Sequence, residues 1–148
     1  PYEAPAAVPA GAEAIDCELV PCVALTYDDG PSEYTAGILD ELRSRGAAAT
    51  FSVMGEKARG WADSLRRMRD EGHEIANHSW NHPSLPSLTD EQVAAQLRDT
   101  STAIQNVVGT RPTSFRPPYG EYNQNVLRIA GLPAILWDVD TFDYQRPG

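Results

Sequence analysis

The fold is organised around the stretch VALTYDDGP at residues 23–31. A short apolar run that ends at Gly-Pro is typical of a buried strand that stops abruptly. Its last residues include two adjacent carboxylates, Asp28 and Asp29, which repel each other and resist desolvation. The pair therefore suggests a cation, and since neighbouring strand residues point to opposite sides, one aspartate would bind it while the other acts as a base. A hydrogen-bonded Asp-Asp-Gly-Pro turn is the alternative.

Length and charge narrow the class of protein. The 148 residues are 41% hydrophobic and 22% charged, which suits one globular domain with its own core. A formal charge of -9 disfavours nucleic acid and anionic membrane surfaces as partners, because both are bound through Lys and Arg. No apolar run approaches the ~20 residues that span a bilayer. A neutral or cationic partner and the oligomeric state stay open.

The N-terminal region points to export. Residues 1–16 are rich in Ala, Pro and Glu, which predicts a linker or a processed start, followed by one domain over residues 17–148. Cys17 and Cys22 are the two cysteines of the chain. They favour a disulfide in an oxidising compartment, with two buried free thiols as the alternative.

Strand and helix patterns alternate about five times after residue 23. Apolar spacing predicts helices through Tyr34, Ile38 and Leu42 and through Trp61, Leu65 and Met68, and a capping box at Thr89 with Gln92 predicts a long third helix. A fourth helix is predicted to start at Asn123, and strands are predicted at residues 50–53, 73–78, 114–116 and 133–137. This order indicates a parallel sheet covered by helices.

Chemistry in such folds collects where the strands end. The residues that carry chemical groups here all follow predicted strands and are therefore expected at one edge of the sheet: Asp28, Asp29, His78, His82, Arg116, Asp138, Asp140 and Asp143.

The segment HSWNH at residues 78–82 is an H-x3-H pair. That spacing places two imidazoles on one side of a helical turn, as two ligands of a tetrahedral metal. With one aspartate they form a His2Asp set with an open position, which is typical of catalytic zinc. The other aspartate would accept a proton from a metal-activated water while Arg116 holds it in place. The alternatives are structural histidines and a structural salt bridge at Arg116.

Four segments resemble, in order, the first four motifs of the polysaccharide deacetylases of carbohydrate esterase family 4, also called the NodB homology domain. They are TYDDG at 26–30, HSWNH at 78–82, RPPYG at 116–120 and DTFDY at 140–144. The resemblance implies a distorted (β/α) barrel and metal-dependent removal of acetyl groups from a polysaccharide such as a chitooligosaccharide, peptidoglycan N-acetylglucosamine or acetylxylan. The metal would be Zn²⁺, or another divalent transition metal such as Co²⁺.

The resemblance also assigns roles to single residues, while the cysteine pair favours a secreted or cell-wall-associated protein. By position, Asp28 would be the base, Arg116 would orient it, and the Tyr119 N–H would stabilise the oxyanion. The metal ligands would be Asp29, His78 and His82. Asp143 would correspond to an acid that tunes the family's catalytic histidine, and Tyr144 would form one wall of the acetyl pocket. Independently of the resemblance, Trp80 and Tyr119 border the predicted site and are candidates for stacking on sugar rings, with packing beside the metal ligands as the alternative.

Two departures from the family pattern matter. Tyr144 stands where the family usually has Trp, and the family's fifth motif, Leu-x-His, is absent from the 148 residues. The latter predicts that the domain is incomplete at its C-terminal end, that five strands leave a barrel open, and that apolar surface is uncovered. Because the fifth motif carries the histidine that protonates the leaving group in the family, a glycan-binding module with little turnover is an alternative to the enzyme. A metal-free hydrolase that uses two carboxylates is a third hypothesis, which leaves His78 and His82 without a role.

Overall fold

The strands of the protein form a parallel sheet. The computed structural model describes residues 17–145, so the predicted linker at residues 1–16 lies outside the described residues. Within that range the strands are β1 (Thr26–Gly30), β2 (Thr50–Val53) and β3 (Glu74–Asn77), in the order β1-β2-β3. Both neighbouring pairs are parallel. The sheet confirms the predicted α/β architecture and brings the ends of its strands to one edge.

The fourth and fifth predicted strands are shorter than expected. Each is a single bridge residue, with Phe115 paired to Asn77 on one side and to Ala134 on the other. The two prolines after Arg116 lack N–H groups, so the chain cannot continue a ladder there. The prediction of strands over 114–116 and 133–137 is therefore wrong in extent, although both segments extend the sheet at the expected places.

Helices cover the sheet. They are α1 (Thr35–Ser44), α2 (Gly55–Ala58), α3 (Ala62–Asp70), α4 (Asp90–Val108) and α5 (Gln124–Ala130). In α4 the predicted capping box is present, since the Thr89 hydroxyl accepts from the Gln92 N–H and the Gln92 side chain accepts from the Thr89 N–H. Asn123 caps α5 in the same way, by accepting from the Val126 N–H. Both predicted helix starts are confirmed.

Two aromatic residues expected in the core lie outside it. Tyr34 and Trp61 each precede a helix, α1 and α3 respectively, rather than belonging to it. Tyr34 is 70% exposed and Trp61 is 38% exposed. The buried positions of α1 are Thr35, Leu39 and Leu42. Tyr34 falls outside the apolar face of α1 because Pro31 and the turn after it delay the start of that helix. Trp61 falls outside the apolar face of α3 because the preceding helix, α2, is too short to show a periodic pattern.

The core has two parts, which together position the site. One lies between the sheet and α1, α3 and α4 and includes Leu39, Phe51, Val53 and Leu65. The other lies under α4 and α5 around Phe115. Within residues 17–145 no helix combines the length and the apolar character needed to cross a membrane.

Candidate metal centre and catalytic site

An irregularity in β1 separates the two aspartates. The register with β2 shifts between Tyr27 and Gly30, and Asp29 adopts a left-handed backbone with φ of 64°. Such a conformation costs a non-glycine residue about 1 kcal/mol or more and persists only where other contacts impose it. One such contact is the hydrogen bond from Lys57 Nζ to the Asp29 carbonyl, at 2.7 Å. As predicted, the two side chains have different partners, but a bulge rather than simple strand alternation underlies the difference.

The two histidines lie on an irregular loop after β3. Ser79 and His82 both have positive φ angles, of 62° and 63°, so the segment is not the helical turn that the H-x3-H spacing predicts. Its shape is held by side chains instead, because Asn77 Oδ1 accepts from the Ser79 N–H and Ser79 Oγ accepts from the His82 N–H. The convergence of the rings was predicted correctly, while the local structure that produces it was not.

Asn77 anchors this loop to α4. Its side chain is completely buried, and its Nδ2 donates to the Leu97 carbonyl at 2.7 Å and to Ser101 Oγ at 2.9 Å. Sequence reasoning did not single out Asn77. The available signal was an amide at the end of a buried strand, directly before His78, where an unpaired polar side chain would be costly.

Asp29, His78 and His82 converge. Asp29 Oδ1 lies 3.2 Å from His78 Nε2 and 3.3 Å from His82 Nε2, and one ligand atom from each residue lies within 4.8 Å of the others. His78 Nδ1 must be a donor, because it lies 2.7 Å from the Arg116 carbonyl, which can only accept. In neutral His78 the Nε2 lone pair therefore faces the carboxylate.

This donor set fits a divalent transition metal. A tetrahedron with metal–ligand bonds of ~2.0–2.1 Å has edges of about 3.3 Å, which matches both measured separations from Asp29. A lone pair pointing at a carboxylate oxygen is repulsive unless a cation lies between them. The hydrogen bond from His78 Nδ1 to a backbone carbonyl is the kind of outer contact that orients metal-binding imidazoles.

Burial and charge act on the titration of these groups. The contact with the His78 imidazole lowers the pKa of Asp29 below its ordinary value, although desolvation opposes the effect. Burial lowers the pKa of His82, which favours the neutral imidazole. An ionised carboxylate beside a neutral imidazole is the state in which both side chains can bind a metal.

Arg116 holds Asp28 beside this group. It is 2% exposed, and its Nη1 donates to Asp28 Oδ1 at 2.9 Å and to Thr26 Oγ1 at 2.8 Å. Its Nε and Nη2 donate to the carbonyls of Ile135 and Leu136. Because each nitrogen of the planar guanidinium donates a hydrogen bond, Arg116 is fixed in place, and its hydrogen bond to Asp28 fixes that carboxylate as well.

Trp137 packs beside Arg116 at the candidate site, and the sequence analysis did not single it out. The Arg116 guanidinium lies 5.7 Å from the centre of its ring, within reach of a cation–π contact. A Cβ on Gly120 would lie 3.0 Å from the ring, so the glycine allows the close approach. The available signal was a tryptophan as the last residue of the fifth predicted strand, residues 133–137.

Tyr119 closes the other side of the site. Its φ of 60° turns the RPPYG loop, whose hydrogen bonds use the N–H groups of Gly120 and Glu121 rather than that of Tyr119. The Tyr119 ring centre lies 4.5 Å from that of His82, and the residue is 64% exposed.

The other predicted site residues make more local contacts. Trp80 packs on Gly55, where a Cβ would lie 2.6 Å from its ring, and so has a structural role. Asp143 accepts from Thr141 Oγ1, and Tyr144 packs against Phe142. The roles of Asp143 and Tyr144 remain predictions, as do those of Asp138 and Asp140.

Two further features lie away from the centre, a disulfide and a third histidine. Cys17 and Cys22 are joined by a disulfide, the pairing that the sequence favoured. His73 precedes β3 at the opposite end of the sheet from the site, where its Nδ1 accepts from the Ala49 N–H.

Comparisons with known proteins point in one direction. Residues 17–132 match the family model described as polysaccharide deacetylase. The chain is 41% identical over 124 residues to the peptidoglycan-N-acetylglucosamine deacetylase PgdA of Listeria monocytogenes, which covers 83% of this chain and 27% of that protein. It is 40% identical over 124 residues to chitin deacetylase 1 of Saccharomyces cerevisiae, covering 81% of this chain and 40% of that protein.

A solved structure agrees with the sequence matches. The structure titled T48 deacetylase with substrate superposes with a TM-score of 0.88 at 42% identity, covering 90% of this chain and 67% of that one. This confirms the expected fold class. The chain spans about a quarter to two fifths of the two curated relatives.

Proposed function

The chain belongs to the polysaccharide deacetylase family, and from this premise we propose that it hydrolyses acetyl groups from an acetylated glycan, with a divalent metal bound by Asp29, His78 and His82. The observation that supports the proposal is that the side chains of two adjacent aspartates have different partners. Asp29 faces two imidazoles, while Asp28 is outside that group and bonded to Arg116. Glycan binding alone would not require a carboxylate held beside a metal site.

The three side chains proposed as metal ligands make contacts that favour binding of a divalent cation. A divalent cation held there would lower the pKa of a bound water and polarise the carbonyl oxygen of the acetyl group. Zn²⁺ agrees best with two nitrogen donors and one oxygen donor, and Co²⁺ accepts the same set. His78 is the most rigid ligand, because it is buried and its Nδ1 is bonded to a backbone carbonyl.

Asp28 is proposed as the general base. One of its oxygens accepts a hydrogen bond from Arg116, which leaves the other oxygen of the carboxylate for proton transfer. The proton would come from the attacking water. Arg116 acts as a positioning residue because its remaining hydrogen bonds, to Thr26 and to two carbonyls, leave it no freedom to follow a moving substrate.

Groups around the centre would complete the reaction. The Tyr119 N–H is proposed to donate to the oxyanion as the tetrahedral intermediate forms. Trp80 and Tyr144, together with the Tyr119 ring, are proposed to contact the sugar, and Asp143 is proposed to tune the acid–base chemistry. Trp80 contributes mainly by holding the loop, because it packs on Gly55.

The relatives support a class of substrate and a location for the proposed enzyme. Peptidoglycan N-acetylglucosamine and chitin are the acetylated glycans named by the two curated relatives, and an acetylated xylan is a further candidate. The disulfide between Cys17 and Cys22 agrees with a secreted or cell-wall protein, because such bonds persist in oxidising compartments.

The test separates metal binding from catalysis. Metal analysis of the wild type should find about one zinc per chain, and chelation should abolish acetate release from acetylated oligosaccharides. Asp28→Ala should retain the metal and lose acetate release, whereas His78→Ala should lose both. Asp63→Ala, which removes a fully exposed carboxylate from α3, is the matched control and should change neither. Acetate release that survives chelation would overturn the proposal, and zinc retention without acetate release by the wild type would favour a glycan-binding module.

A further inference from the structure

Two aromatic side chains are left uncovered beside the candidate metal centre. Tyr34 and Trp61 are 70% and 38% exposed, although their spacing in the sequence resembles that of core residues. They line one cleft of about 320 Å³, together with Pro31, Ser32, Glu33 and Lys57. A volume of this size is at the lower end of the range for small-molecule sites, so the cleft suits a single ring rather than a folded partner.

The cleft is linked to the candidate metal centre through the backbone of Asp29. Lys57, which lines it, donates a hydrogen bond to the carbonyl of Asp29. Pro31 follows Asp29 by two positions and lines the same cleft, so its Cα lies within about 8 Å of that of Asp29. One wall of the cleft therefore lies next to the backbone of a residue that is proposed to bind the metal.

The lining has the mixed chemistry of a sugar-binding site. Tyr and Trp offer flat apolar faces that can pack on the C–H face of a pyranose ring while their polar atoms stay near water. Ser32 and Glu33 offer acceptors for hydroxyl groups. The Lys57 ammonium has three donors and uses one on Asp29, so further donors can point into the cleft.

We propose that Tyr34, Trp61 and Lys57 form a subsite for a sugar ring of the glycan that lies outside the ring undergoing deacetylation. The proposal rests on the proposed function and adds the place on this chain where a neighbouring sugar ring of the glycan would bind. Binding at the cleft would add affinity and orientation that a short substrate cannot reach.

The experiment compares substrates of different length. Acetate release by the metal-loaded protein is measured on chitohexaose, on N-acetylglucosamine monomer and on a small aryl acetate. Tyr34→Ala and Trp61→Ala should each lower kcat/KM on the hexamer by about threefold to tenfold, the loss expected for one aromatic contact. They should leave kcat/KM on the aryl acetate unchanged. Lys57 is not substituted, because it also holds Asp29.

Conservative variants serve as matched controls. Tyr34→Phe and Trp61→Phe retain an aromatic face and should recover most of the lost kcat/KM, whereas a merely structural defect would reduce the rate on all three substrates. Equal kcat/KM on the hexamer for the wild type and both alanine variants would overturn the subsite.

Failure of the proposed function is distinguishable. If the wild type releases no acetate from any substrate, hexamer binding is measured by calorimetry for the same proteins. Weaker binding by the alanine variants would then support the subsite although the activity is absent. Unchanged binding would overturn the subsite as well.

Discussion

Replacing Asn77 with alanine tests how the two-histidine loop is held. The substitution removes three buried hydrogen bonds, to the Leu97 carbonyl, to Ser101 Oγ and from the Ser79 N–H. At about 1 kcal/mol each, their loss should lower the free energy of unfolding by about 3 kcal/mol. The backbone of Asn77 still pairs with neighbouring segments, so the sheet should persist.

The same substitution should weaken metal binding without touching a ligand. Ser79 would lose the acceptor that supports its left-handed backbone, and Ser79 Oγ is the acceptor for the His82 N–H. His82 would then sample more positions. Removing an outer contact of this kind typically lowers metal affinity about 10-fold to 100-fold.

Urea unfolding and zinc titration measure the two effects. Ser101→Ala is the matched control, because it removes one partner of Asn77 and leaves the bond to Leu97 and the contact with Ser79. It should cost about 1 kcal/mol and leave zinc affinity unchanged. A loss below about 1 kcal/mol in Asn77→Ala, with wild-type zinc affinity, would refute this account of the loop.

Three other predictions concern stability. Gly55→Ala should lower the free energy of unfolding in urea by about 1–3 kcal/mol, because its Cβ would lie 2.5 Å from Thr100 Oγ1. Gly37→Ala is the control and should be neutral or stabilising, because nothing lies within 4 Å of its Cβ. Equal effects of the two substitutions would contradict this packing. Thr89→Ala should cost about 1 kcal/mol by the same measurement, because it removes the cap of α4, and no loss would show that the cap contributes nothing. Burial lowers the pKa of His73, so the unfolded chain binds the proton more readily, and the free energy of unfolding should fall as the pH drops below about 6.5. His73→Gln should show a shallower slope between about pH 7 and 5, and identical slopes would rule out this contribution.

The candidate site could be predicted because its residue types are unusual at strand ends. Carboxylates, imidazoles and a guanidinium are costly to bury, so their repeated placement after apolar strands indicated a shared edge before any coordinates were known. The predicted grouping of Asp29 with His78 and His82, and of Asp28 with Arg116, agrees with the structure. The caps of α4 and α5 were equally predictable, because capping depends on residues close in sequence.

Local patterns could not give the position of Tyr34 and Trp61. Apolar spacing alone does not tell a core position from the residue just before a helix, and here the helix starts decide that both rings stay exposed. The expected helical turn at His78 and His82 failed for a similar reason. Its left-handed residues are held by Asn77, which is in turn fixed by Leu97, twenty positions away.

The sequence by itself determined the order of elements, the class of fold and the set of reactive side chains, because these depend on periodicity, caps and the cost of burying charge. Only the tertiary structure decided which further groups hold the site residues in place. Lys57 reaches the Asp29 carbonyl across 28 positions, and Arg116 reaches the carbonyls of Ile135 and Leu136 across 19 and 20. Such contacts depend on packing between distant segments, and a pattern of neighbouring residues carries no information about them.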